Sequence, residues 1–165
     1  MKFWCNIQVE LGLKTEDIDG CNISIWEKNF VINKDSFLER SRNFPGEANF
    51  YTDGSKMSDN IGAAFVLYEV NRLVKTEKFK LPATCTVFQA EIKAILEAAK
   101  YLNTTSKYKY VKFFIDSQAA ILALESVKIT STLVREAKLE LNKAATNRII
   151  ILNWTRVHRL SLIHI

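Results

Sequence analysis

Three acidic residues stand where an acid is hard to explain as solubilising charge: Asp53 in FYTDGSKM (50–57), Glu91 in TVFQAEIKAIL (86–96) and Asp116 in YVKFFIDSQAA (110–120). Asp53 and Asp116 close the apolar runs NFYTD (49–53) and YVKFFID (110–116), which read as strands. Glu91 lies in the best helical pattern of the chain, TVFQAEIKAILEAAKYL (86–102). At about 100° per residue it sits roughly 200° from Lys93, the residue that starts the wet face with Glu97 and Lys100. It therefore shares the apolar stripe of Val87, Ala90, Ala94, Ile95, Ala98 and Leu102. An unpaired buried carboxylate is costly, so the group must bind a proton or find a cation. Each acid also has a plainer reading. Asp53-Gly54 could be a surface turn in which Gly54 supplies positive φ. Asp116 could be a helix N-cap, and Glu91 could lie at the wet edge of its stripe.

If the three acids meet, their like charges call for a divalent cation, and all-oxygen donors suit Mg²⁺ or Mn²⁺. Two such ions about 4 Å apart can activate a water and stabilise the leaving oxygen of a phosphodiester. The elements needed to bring the acids together are visible. NFYTD is followed by IGAAFVLYEV (61–70) and RLVKTEKFKL (72–81), joined tightly at Asn71. The second of these alternates like an antiparallel strand with one wet side. Thr86 with Gln89 forms a capping-box signature before the helix. YVKFFID is apolar enough to be a central strand. SQAAILALES (117–126) and STLVREAKLELNKAA (131–145) read as helices, and NRIIILNW (147–154) as a last strand. The order β-β-β-α-β-α-α-β predicts a mixed α/β sheet, with three antiparallel strands first and parallel crossovers after. A carboxylate at the C-terminal tip of such a central strand lies where open α/β sheets place their chemistry.

Charge points the same way. The chain of 165 residues has a net charge of +5, with 48% hydrophobic and 25% charged residues, as expected of a globular domain. Residues 1–50 carry six Lys/Arg and eight Asp/Glu, against seventeen and ten in residues 51–165. A basic domain behind an acidic leader suits a polyanion such as nucleic acid, although a solvated basic surface would look alike. Pro45 and Gly46 mark a boundary, which puts an acidic leader or connecting segment at 1–47, expected to be poorly structured. No apolar run is long enough to span a membrane, and the N-terminus lacks a signal-peptide core. Cys5, Cys21 and Cys85 are too far apart for a disulfide or zinc framework, and Cys85 suits a core position. The expectation is an intracellular protein, nuclear or cytoplasmic and not secreted.

TDGS (52–55), FQAEIKAI (88–95) and IDSQAA (115–120), in this order and on these elements, resemble the three acidic motifs of ribonuclease H. The wording YTDGSK and TVFQAEIKAIL is most similar to the ribonuclease H domains of non-LTR retrotransposons. The resemblance covers about residues 48–158. It implies a ribonuclease H-like mixed sheet with helices on both faces, and hydrolysis of the RNA strand of RNA·DNA hybrids. Asp53, Glu91 and Asp116 match the metal-binding acids, which hold two Mg²⁺ ions (or Mn²⁺). Gly54 and Ser55 match backbone positions close to the RNA, while Gln89, Ser117 and Gln118 match positions at the hybrid. Each Gln reads equally well as an ordinary polar residue at a helix start. WTRVH places Trp154 and His158 at the spacing of a family Trp-x-x-x-His motif whose His assists proton transfer or product release. A reverse transcriptase domain in a parent polyprotein is the implied partner.

The chain also departs from the family. Arg156 and Val157 replace the usual Pro-Gly before the His. No acid follows Glu140, so the fourth metal ligand and the last helix are missing. LSLIHI (160–165) matches the translation of a common sequencing adapter and is expected to be a non-native tail, leaving 48–159 as the domain. Impaired activity follows from this reading. The rival expectation is a non-catalytic nucleic-acid-binding or scaffold module on the same fold.

Overall fold

The computed structural model describes residues 23–34 and 47–155. Two short strands, β1 (Ile23–Ser24) and β2 (Val31–Asn33), precede three long ones, β3 (Glu47–Met57), β4 (Asn60–Glu69) and β5 (Arg72–Leu81). Then follow α1 (Val87–Asn103), β6 (Tyr110–Ile115), α2 (Gln118–Glu125), β7 (Lys128–Ile129), α3 (Thr132–Ala144) and β8 (Ile149–Trp154). The main sheet has the order β2-β8-β6-β3-β4-β5. β3, β4 and β5 pair antiparallel, while β6 runs parallel to both β3 and β8. The mixed sheet and the order of its long elements are as the sequence pattern predicts.

Side-chain alternation on β3 and β6 decides where the core lies. Ala48, Phe50, Val111, Phe113 and Ile115 point to one face and are buried with Ile92, Ile95, Leu96 and Leu102 of α1 and Leu133 and Leu141 of α3. Phe50 and Phe113 stack across the sheet at 5.0 Å between ring centroids. The three described helices pack on one another over this face. On the other face Tyr51 stacks on Phe114, with centroids 4.7 Å apart, and no described helix lies there. Helices on both faces are thus found on one face among the described residues. Cys85 is buried in the core, as its apolar surroundings suggested. Val87, placed in the apolar stripe, is 42% exposed because it occupies the first helical position, before the stripe reaches the sheet. None of the described helices is long and apolar enough to cross a membrane.

The boundary drawn after Pro45-Gly46 cuts through this unit. β2 extends the main sheet by pairing parallel with β8, and β1 pairs with β7. Phe30 is buried in the main core. Buried Lys138 donates from Nζ to the carbonyls of Ile25 and Ser126, and Asn142 exchanges hydrogen bonds with Glu27 and Asn29. Residues 23–34 therefore belong to the domain. Strands of two and three residues show no alternation to read, and they are held by polar partners about a hundred residues away in sequence.

The hairpin between β4 and β5 turns on two residues, Val70 and Asn71, with φ of 43° and 65°. A two-residue turn of this kind needs positive φ at both positions, which suits Asn and Gly and strains a β-branched side chain. Val70 is also exposed, so its side chain gains nothing from packing. Replacing Val70 with Asn or Gly should raise stability in urea denaturation by about 1 kcal/mol, the low end of the cost of such strain.

Candidate metal centre

β3 does not turn at Asp53-Gly54. The strand runs on to Met57, with Asp53 opposite Ala64 and Gly54 opposite Ala63 on β4. Gly54 has another reason to lack a side chain. A Cβ there would lie 2.5 Å from the backbone N of Glu91 and 2.8 Å from the carbonyl carbon of Ala90. The backbone of α1 rests directly on the backbone of β3 at this point, and only glycine allows it. That contact seats Glu91, 5% exposed, beside Asp53.

Asp116 follows the last residue of β6, and the N-cap of α2 is Ser117, whose hydroxyl accepts from Ala120 N at 3.2 Å. The helix is thus capped without the Asp116 carboxylate. Two bonds from the end of β8 fix the backbone at this tip. Trp154 Nε1 donates to the Asp116 carbonyl at 3.3 Å, and Thr155 N donates to the Ile115 carbonyl at 3.0 Å.

The three elements bring the acids together: one oxygen from each of Asp53, Glu91 and Asp116 lies within 4.8 Å of the others. The electrostatics follow from the geometry. Burial, then the charge of Asp116, then that of Asp53, push the Glu91 carboxyl up to about 8, opposed by a hydrogen bond from the Gly54 backbone N–H. Glu91 Oε2 is buried and accepts no hydrogen bond. An orphaned carboxylate oxygen facing two further carboxylates is a donor set that fits a hard divalent cation. At neutral pH without one, the cluster must hold a proton.

The other expected site residues fall in several places. Ser55 continues β3 past Gly54 and is half-buried. Gln89 closes the capping box of α1, its Oε1 accepting from Thr86 N at 2.8 Å. Ser117 serves as the N-cap just described, and Gln118 is exposed on the first turn of α2. His158 lies outside the described residues. The sequence reading gave Trp154 no part in positioning Asp116, although a Trp at the tip of the strand beside β6 was the available signal.

Two outcomes follow. Gly54→Ala forces α1 off β3, so it should lower stability by about 1–3 kcal/mol, as overpacking does, and weaken Mg²⁺ binding in calorimetric titration. The second concerns pH in the metal-free protein. A carboxyl near 4.5 when unfolded and about 8 when folded contributes its full stability below pH 4.5, and that stability is lost as pH rises through about 8. Glu69, held down to about 2 chiefly by the Lys107 hydrogen bond, titrates below this window. Urea denaturation in EDTA should therefore show stability falling from pH 5 to 8 in the wild type, and a flatter profile in Glu91→Gln.

No sequence-family profile matches the chain, and no curated protein matches it in sequence. Solved structures do match. RNase H1 from the halophilic archaeon Halobacterium salinarum is 19% identical, with a TM-score of 0.53 over 69% of this chain and 87% of that one. The N-terminal RNase H domain of a Mycobacterium tuberculosis protein, solved as a fusion with maltose binding protein, is 13% identical. Its TM-score is 0.56 over 68% of this chain and 89% of that one. With the sheet order and the mixed strand directions above, these likenesses establish that the chain has a ribonuclease H-like fold.

Proposed function

We propose that this protein is a metal-dependent nuclease that hydrolyses the RNA strand of RNA·DNA hybrids. The observation that carries the reading is the convergence of Asp53, Glu91 and Asp116 within 4.8 Å, with Glu91 buried and one of its oxygens unbonded. Bound there, two Mg²⁺ or Mn²⁺ ions would supply a water activated for attack and charge to stabilise the leaving oxygen. Asp53, Glu91 and Asp116 are the residues that would hold them. The protein's own share is rigidity. Gly54 sets the height of Glu91 over β3, and Trp154 holds the backbone of Asp116.

In this reading Ser55 and the backbone of Gly54 meet the RNA, where a 2′-hydroxyl separates RNA from DNA. Gln89, Ser117 and Gln118, at the starts of the two helices beside the acids, would meet the hybrid. Gln89 keeps its side-chain amide nitrogen for this while its oxygen closes the cap. His158 would assist proton transfer or product release. The motif wording YTDGSK and TVFQAEIKAIL supports an origin in a non-LTR retrotransposon, with a reverse transcriptase domain as the partner in a parent polyprotein.

Cleavage of a labelled RNA·DNA hybrid in Mg²⁺ tests the activity. Asp53→Asn should lose more than the roughly 10–100-fold that removal of an outer-shell partner costs. Replacing the RNA strand with DNA should abolish the reaction. Equal cleavage by wild type and Asp53→Asn would reject the enzyme, and hybrid binding without cleavage by either would favour a non-catalytic nucleic-acid-binding module.

A further inference from the structure

We propose that Lys78 and Lys80 on β5 form a phosphate track that carries the nucleic acid away from the acid cluster across the face of the sheet on which no described helix lies. The inference rests on the nuclease reading and adds the path its substrate takes. β5 is an edge strand, and its alternation sends Phe79 towards α1 and the core while Lys78 and Lys80 are exposed on the opposite side. Strand pairing aligns them with the site. Asp53 lies opposite Ala64, and Ala64 opposite Lys78; Ser55 lies opposite Gly62, and Gly62 opposite Lys80. Residues opposite one another in a sheet share a face, so each row runs from the metal-site strand, over a small residue, to a lysine.

The small middle residues matter. Gly62 and Ala64 leave the floor low between β3 and β5, and a groove of about 480 Å³, whose lining includes Ser55, Gly62, Lys78 and Lys80 beside the apolar Met57 and Phe79, lies along the Ser55–Gly62–Lys80 row. From β3 to β5 is two strand spacings, about 10 Å. One strand of a duplex passes about three phosphates in that length. A backbone placed at Asp53 can therefore follow the low floor and meet two cations at its far side.

The test is binding of a fluorescent RNA·DNA hybrid in Ca²⁺, read by anisotropy across a salt series, so that no turnover is needed. Both lysines are exposed, and thermal melts check that the variants fold. Each phosphate contact contributes about 0.9 to the slope of log K against log salt on duplex DNA. Lys78→Ala with Lys80→Ala should reduce that slope by nearly two and weaken binding at least about tenfold at low salt. Arg at both positions should restore both. Lys109→Ala with Lys143→Ala removes the same charge at the opposite end of β6 and α3 and should change little. A slope and affinity unchanged in the Lys78/Lys80 variant, with the wild type binding, would overturn the track and leave the nuclease reading standing. Equal losses in both double variants would show a diffuse charge effect and overturn it too. A wild type that does not bind the hybrid would remove the nuclease reading and the track together.

Discussion

The site depends on one backbone contact. α1 can approach β3 closely enough to seat Glu91 beside Asp53 only because residue 54 has no Cβ; any other side chain would strike the backbone of Ala90 and Glu91. Everything electrostatic follows from that approach. Glu91 loses water, faces two further carboxylates and keeps an unbonded oxygen, a state that favours a proton or a cation over an isolated charge. The Gly54 N–H that donates to Glu91 offsets part of this cost.

The rest of the domain holds this contact in place. Core packing of Ile92, Ile95, Leu96 and Leu102 against Phe50 and Phe113 fixes α1 over the sheet. The parallel pairing of β6 with β3 brings the Asp116 tip level with Asp53, since Thr52 lies opposite Ile115. β8 adds the Trp154 bond behind that tip. Among the described residues, Lys78 and Lys80 lie on β5, two strands from β3, and Lys93 and Lys100 pair with Glu97.

Much of this was legible in the residues. Long, strongly patterned elements declared themselves: the capping box at Thr86 and Gln89 and the alternation of β5 agree with the structure. The phase of Glu91 against Lys93, Glu97 and Lys100 put the glutamate inside, and it is buried. Gly54 was harder. Asp-Gly reads locally as a turn, and the need for a bare α-carbon comes from a helix almost forty residues later, which no local pattern encodes. Asp116 was ambiguous with a cap until Ser117 took that role. β2 and β7 escaped because two or three residues carry no periodicity. Their places are fixed by distant partners such as Lys138 and Asn142. The motifs suggested more than the fold comparison establishes. At 13–19% identity, likeness to RNase H structures speaks for the sheet and its helices, while the chemistry rests on the three carboxylates.

The most direct measurement is a crystal of the protein soaked in Mn²⁺, with anomalous differences recorded at the manganese edge. The account predicts peaks among Asp53, Glu91 and Asp116, with carboxylate oxygens at about 2.0–2.2 Å, near the distances hard divalent ions adopt. Glu91 turned into solvent, or Mn²⁺ bound elsewhere while the three carboxylates stay unliganded, would contradict it.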